Sequence, residues 1–318
     1  MAIYKPEDIK EGTKFLFFGE EATGKTPTGL SFPNIFLADS DSSSNFYAKE
    51  NVVLMSDALS YKDLESDFEE VEMDDELFES INTIMVDSLT QYHNAMNIAM
   101  NKVAEKRAIN NGRDREAEIM SFREHTKSKT YYLEFFSKLL AYVKMGKNLV
   151  CIAEQKDKTE TIKGELKKVG VTYDAQKKAG HSFDVIVRTF LENSEDGKGK
   201  IPKGEVLKDR TETFSIGQII DRPNYSLWEN AVEKKQQGKQ RSKDEIKTVR
   251  EVSDEETKVL DDGESLRSEV LSIVKSLDKD EKVKAKEVLT EKVGTHEVGK
   301  INDVKKLETA LELVKKLK

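Results

Sequence analysis

The sequence predicts an α/β protein with a mainly parallel central sheet flanked by helices, followed by a small helical domain. Three observations carry this. Short β-rich runs with apolar residues at consecutive positions alternate with helical patterns through the first two-thirds, as expected of strands covered on both faces. A glycine-rich loop sits directly between the first such run and a short helical pattern. After a strongly polar stretch, apolar residues return only at helical spacing,.

Taken in order, strands are expected over 14–18 (KFLFF), 34–39 (NIFLAD), 52–55, 83–87 (TIMVD), 148–153 (NLVCIA), 184–190 (DVIVRTF) and 211–214. Between 88 and 146 lies a long helical stretch, with a hairpin or mobile loop near its charged middle, 102–129. Tyr131, Leu133, Phe135, Phe136, Leu139, Leu140 and Val143 are expected to pack its end onto the sheet,. The domains read as a core over 1–231, a charged linker over 232–263 and a three-helix domain over 264–318,.

The 318 residues carry a net charge of −8. Ten acids and no base fall in 63–80, and seven acids with one lysine in 251–265. Setting these aside leaves +8 on the remainder, so a basic binding face stays compatible with the acidic total. One cysteine and four scattered histidines exclude an internal disulfide and the common zinc patterns,. The start, MAIYKPEDIKEG, lacks an apolar secretory segment, and no run approaches membrane-helix length,. A cytoplasmic protein without membrane partners is expected.

The loop Gly19-Glu20-Glu21-Ala22-Thr23-Gly24-Lys25-Thr26 fits GxxxxGK[ST]. Backbone N–H groups wrap a phosphate in such a loop, and its glycines adopt conformations that a Cβ forbids. Lys25 would contact the β- and γ-phosphates, and the Thr26 hydroxyl would ligate Mg²⁺. Asp87, ending an apolar strand, is the Walker B candidate for the same ion. No NKxD motif follows, which favours ATP over GTP. Ser88 stands after Asp87 where many ATPases place a glutamate, so a general base must come from elsewhere. Asp41, after the second strand, is the candidate, with Asp39 its rival; a turn-forming role in DSDSSSN is the alternative for either,.

These motifs resemble the RecA-like recombinase ATPase core. GKTPTGLSFPNIFLADSD is similar to the GKT…FPN…D stretch of phage single-strand-annealing recombinases of the Sak-four type, usually described only as phage AAA or nucleotide-binding proteins. The resemblance spans about residues 12–230. It implies a γ-phosphate sensor after the 148–153 strand, at Glu154 or Gln155, leading into a DNA-binding loop over 156–181. There Lys156, Lys158, Lys163, Lys167, Lys168, Lys177 and Lys178 would meet phosphates and Tyr173 would stack on a base, unless the segment is a solvated hairpin. Lys208 and Arg210 resemble basic residues inserted toward a neighbouring subunit's ATP; a plain surface strand is the alternative.

The function so implied is ATP-dependent single-stranded-DNA binding and annealing by a homo-oligomer, ring or filament, with a phage single-strand-binding protein as a possible partner. Two alternatives stay open. One is a phage P-loop ATPase for helicase loading or anti-defence. The other is a nucleotide-gated scaffold that does not hydrolyse ATP.

Overall fold

The computed structural model describes residue 5 and residues 8–114, 120–162, 164–194, 197–301 and 303–317; the side chains of 259–262 are also left undescribed. The chain divides into two compact units, 1–248 and 249–318.

Among the described residues of the first unit, nine strands form one sheet. They are β1 (Lys14–Gly19), β2 (Ile35–Asp39), β3 (Val52–Ser56), β4 (Thr83–Asp87), β5 (Asn148–Ile162), β6 (Glu165–Tyr173), β7 (Val185–Asn193), β8 (Lys200–Asp209) and β9 (Ile219–Asp221). The order is β3-β2-β4-β5-β1-β7-β8-β9, with β6 paired to β5 outside this path. Strands β3 through β7 in that order pair parallel, while β7–β8, β8–β9 and β5–β6 pair antiparallel. This is the mainly parallel α/β architecture that the sequence predicts.

Alternation along β1 builds two cores. Leu16 and Phe18 join the cluster beneath α2 (Tyr61–Val71), α4 (Leu89–Asn110) and α5 (Phe122–Lys144). Phe15 and Phe17 face the opposite layer, with Phe32, Trp228 and Val232. Successive strand side chains point to opposite faces, so a strand buried on both sides must be apolar throughout. The α5 stripe is rotated from expectation. Tyr131 and Leu133 are exposed, while Tyr132, Phe135, Phe136, Leu139, Tyr142 and Val143 are buried, a regular i, i+3, i+4, i+7 face.

Strands over 211–214 do not form. Asp209 instead accepts from Thr211 N at 2.8 Å and Phe214 N at 3.1 Å, closing a turn. The stretch 232–263 also differs from the expected linker. Val232, in α6 (Glu229–Lys235), and Ile246 are buried in the first unit. Gln236 Nε2 donates to Asn148 Oδ1 at 3.2 Å, Arg241 Nη2 pairs with Glu11 at 2.6 Å, and Lys243 pairs with Glu72. Polar side chains anchor this segment, which is why its composition reads as a linker. From 249 the chain is already helix α7 (Val249–Ser276).

In the second unit α7, α8 (Lys279–Val293) and α9 (Val304–Lys315) share a core of Val270, Leu289, Val293, Ile301, Leu307, Leu311 and Val314. Asp278 and Asp303 cap α8 and α9 through their carboxylates,. No helix among the described residues is long and apolar enough to cross a membrane.

Candidate active site

Parallel strands deliver their carboxyl ends to one edge of the sheet, where the segments leaving β1, β2 and β4 meet the middle of the longer strand β5,. A cavity of about 450 Å³ opens among Gly19, Lys25, Thr26, Asp41, Asp87 and Gln155, and Glu20, Glu21, Ala22, Ser43, Tyr47, Ser88 and Glu154 complete most of its wall.

The loop after β1 has little room. A Cβ on Gly19 would lie 2.3 Å from the Thr189 carbonyl oxygen and 2.8 Å from Thr23 Oγ1. Gly24 has φ +89° and caps α1 (Lys25–Leu30), a conformation that glycine adopts without the Cβ penalty. Thr23 Oγ1 lies 2.7 Å from Thr189 Oγ1 on β7, and Thr28 Oγ1 donates to the Gly24 carbonyl at 2.8 Å. These bonds fix the loop from both ends. Pro27 lies in the first turn of α1, where its missing N–H costs no helical bond,.

The two sequence motifs meet directly. Thr26 Oγ1 donates to Asp87 Oδ2 at 2.7 Å. Ser40 grips the peptide that follows this carboxylate: its N–H donates to the Asp87 carbonyl at 2.8 Å, and its hydroxyl accepts from Ser88 N at 3.1 Å. Burial pushes the Asp87 carboxyl up to about 6; the Thr26 bond opposes this, Asp41 and Asp39 add to it, and Lys25 opposes it,. Burial likewise holds the Lys25 ammonium below its ordinary value, against the pull of Asp87, Glu154, Glu21 and Asp41. Lys25 Nζ donates to the Glu20 carbonyl at 2.6 Å.

A hydroxyl and a buried, poorly neutralised carboxylate are a fitting start for Mg²⁺, a hard cation that keeps waters and substrate oxygens in its shell. Among the described residues no group of three His, Cys, Asp or Glu side chains could hold a metal unaided. An ion here would therefore share Thr26 and Asp87 with a nucleotide's oxygens.

The rival acids separate cleanly. Asp39 is buried and accepts from Ser43 N at 3.0 Å, Ser44 N at 3.2 Å and Ser44 Oγ at 2.6 Å. It organises the loop. Asp41 is exposed on the cavity wall and accepts only from Ser43 N at 3.0 Å among the bonds found for its side chain. Gln155 and Glu154 both line the cavity. Gln155 Nε2 donates to Glu20 Oε1 at 3.2 Å, which ties it to the glycine-rich loop.

Other expected residues lie elsewhere. The segment 156–181 is mostly an antiparallel hairpin of β5 and β6 rather than a loop. Lys156, Lys158, Lys167 and Lys168 pair with Asp174, Glu160, Glu165 and Asp157. Lys177 and Lys178 are exposed, and Lys163 lies outside the described residues. Tyr173 is not presented for stacking. Its ring packs edge-on to Phe18 at 6.0 Å, and its hydroxyl accepts from Gly180 N at 2.9 Å.

Lys208 and Arg210 sit toward the amino-terminal ends of β1 and β7, away from their own chain's loop: Lys208 pairs in register with Ile186, whereas Thr189 stands level with Gly19. Lys208 Nζ donates to the carbonyls of Gly180 and His181, and Arg210 lies 3.8 Å from Asp184. Asp184 also binds Lys14 at 2.8 Å and Lys235 at 3.2 Å, while Arg188, which the sequence suggests as a structural partner of Asp184, pairs with Glu205. Sequence reading missed Ser40, Ser43, Tyr47 and Thr189, and it gave Arg188 only a structural pairing with Asp184. Only Thr189, a hydroxyl on a strand otherwise apolar on that face, left a signal.

Among curated proteins none matches this chain. Among solved structures, the flagellar accessory protein FlaH from Methanocaldococcus jannaschii is similar at 14% identity and a TM-score of 0.34, over 67% of this chain and 85% of that one. A family model described as AAA domain (AAA_24) matches residues 11–215. That span holds the glycine-rich loop, both acidic strand ends and the Thr26–Asp87 bond that joins them, and the chain is therefore a P-loop member of the AAA domain family.

Proposed function

We propose that this protein is a Mg²⁺-dependent ATPase that binds single-stranded DNA and serves strand annealing or recombination. The observation that carries the ATPase reading is the hydrogen bond between Thr26 and Asp87 beside Lys25. Mg²⁺ bound there would neutralise phosphate charge. Lys25 would hold the terminal phosphates, and Asp41, exposed on the same wall, would orient and accept a proton from water,.

Support for a DNA role is that the β5–β6 hairpin starts at Gln155 on the cavity wall, so a change at the terminal phosphate has a short route to an exposed, lysine-bearing element. Lys177 and Lys178, exposed just after β6, are the best phosphate ligands of the 156–181 segment, because four of its other lysines are already paired. Lys208 and Arg210, remote from their own pocket, would act only across a boundary between copies. Steady-state hydrolysis with and without single strands tests this. Stimulation by single strands beyond that given by duplex is expected; equal rates would remove the DNA role.

One observation favours a second reading, a nucleotide-gated scaffold. Ser88, where a water-orienting glutamate often stands, accepts from Gln91 N at 3.4 Å as the cap of α4. Intact ATP after prolonged incubation with Mg²⁺ and protein would bring that reading forward.

A further inference from the structure

Hydrogen bonds converge on one residue of the glycine-rich loop, Glu20. Its backbone carbonyl accepts from Lys25 Nζ at 2.6 Å and from Thr23 Oγ1 at 2.8 Å. Its carboxylate Oε1 accepts from Gln155 Nε2 at 3.2 Å. Gln155 in turn accepts Arg188 Nε on its Oε1 at 2.9 Å, and Arg188 Nη1 lies 3.3 Å from Glu205 Oε2.

This series has a fixed direction. A guanidinium only donates, so Gln155 must turn its carbonyl oxygen to Arg188. Its amide hydrogens are then left for the cavity, where they meet the Glu20 carboxylate. One residue thus takes up two donors suited to phosphate oxygens: Lys25 with its carbonyl and Gln155 with its side chain. A carboxylate is a reasonable mimic of a phosphate oxygen for a donor of this kind.

Resting on the reading of this cavity as a nucleotide site, we propose that the Glu20 carboxylate competes internally with the terminal phosphate of a nucleoside triphosphate, and that Arg188 is the positioning residue that aims Gln155 at both. A triphosphate gains the Gln155 amide only by displacing Glu20. A diphosphate, ending one phosphate short, has no need to do so. Glu20 therefore narrows the preference for triphosphate over diphosphate, and Arg188 widens it. Because Glu20 is exposed, its carboxylate can swing into solvent, so the competition is moderate and reversible.

The test is calorimetric titration of the full chain with Mg²⁺ and either a non-hydrolysable ATP analogue or ADP. Glu20→Ala is expected to raise the ATP-to-ADP affinity ratio about fivefold, the size of one ordinary hydrogen bond. Arg188→Leu is expected to lower that ratio by a similar factor, and Arg188→Lys, which still donates, to restore part of it. In a Gln155→Ala background Glu20→Ala should no longer change the ratio. A wild-type protein that binds both nucleotides, with Glu20→Ala leaving the ratio unchanged, overturns this proposal alone. So does an equal Glu20→Ala effect with and without Gln155. A wild type that binds neither nucleotide overturns the nucleotide reading, and this proposal with it.

Discussion

Thr26 and Asp87, 61 positions apart in sequence, are joined by a 2.7 Å hydrogen bond from the threonine hydroxyl to the carboxylate. The bond exists because β1 and β4 end at the same edge of a parallel sheet with β5 between them. It places two hard oxygen ligands beside Lys25, and the nucleotide chemistry proposed for this chain depends on that placement.

If Thr26 shares an ion with Asp87, then Thr26→Ala should raise the Mg²⁺ concentration needed for half-maximal nucleotide binding by about tenfold or more. Thr26→Ser keeps the hydroxyl and should stay close to wild type. Mg²⁺ titrations at fixed ATP check this, and equal requirements in all three proteins would argue against the shared ion.

Asp87 should cost the fold stability at neutral pH. Its folded value is raised from 3.8 to about 6 by burial, so the folded state holds the proton more tightly than the unfolded one. Stability from this group therefore falls as pH rises from about 4 to 6 and stays lowered above that. Asp87→Asn removes the effect, for a gain of up to about 3 kcal/mol at pH 7.5. Metal-free melting curves should show the variant melting higher at pH 7.5, with the difference vanishing below pH 4. A difference independent of pH would contradict the assignment.

Asp184 is a structural hub. It is buried and binds Lys14 and Lys235, with Arg210 close by. Against the upward push of burial, Lys14 and Lys235 hold its carboxyl below the ordinary value. The stability it supplies is present above the unfolded value near 4 and is lost as pH falls through the folded one. Asp184→Asn should destabilise by about 3 kcal/mol at neutral pH, because the lysines lose their counter-charge. Denaturant melts should show that loss shrinking in acid.

Tyr173 should matter to the fold rather than to DNA. Tyr173→Phe keeps the ring against Phe18 and loses the bonds to Gly180 N and the Lys177 carbonyl, at a cost of about 1 kcal/mol. Its single-strand affinity should equal wild type. Replacing Lys177 and Lys178 together by alanine should weaken binding and flatten its salt dependence by up to about two counterions. Filter binding across salt concentrations separates the two.

What could be read from the sequence follows from how each feature is encoded. The strands β1, β2 and β4 are apolar at consecutive positions, and the glycine-rich loop and Asp87 punctuate them at the places that the structure confirms. The outer part of β5 and β6 read from the sequence as a loop or a solvated hairpin, because their side chains are mostly exposed and leave no buried apolar stripe to decide between the two. Tyr173 lies in that polar company yet reaches the core through a fold-back that no local pattern records. The segment after α6 is held by Gln236, Arg241 and Lys243, residues whose composition suggests a linker until their partners are known. Arg188 reads from the sequence as a structural partner of Asp184, because its bond to Gln155, 33 residues away and two strands across the sheet, leaves no local pattern.

The most direct test of the central claim is ATP hydrolysis by the purified full chain with Mg²⁺, alongside Lys25→Ala and Asp87→Asn. Wild type should hydrolyse ATP, both variants should lose that turnover, and Mg²⁺ chelation should abolish it. Turnover that survives in Lys25→Ala and Asp87→Asn would contradict the claim, since Lys25 is the phosphate-binding lysine and Asp87 the buried carboxylate bonded to Thr26 in this cavity.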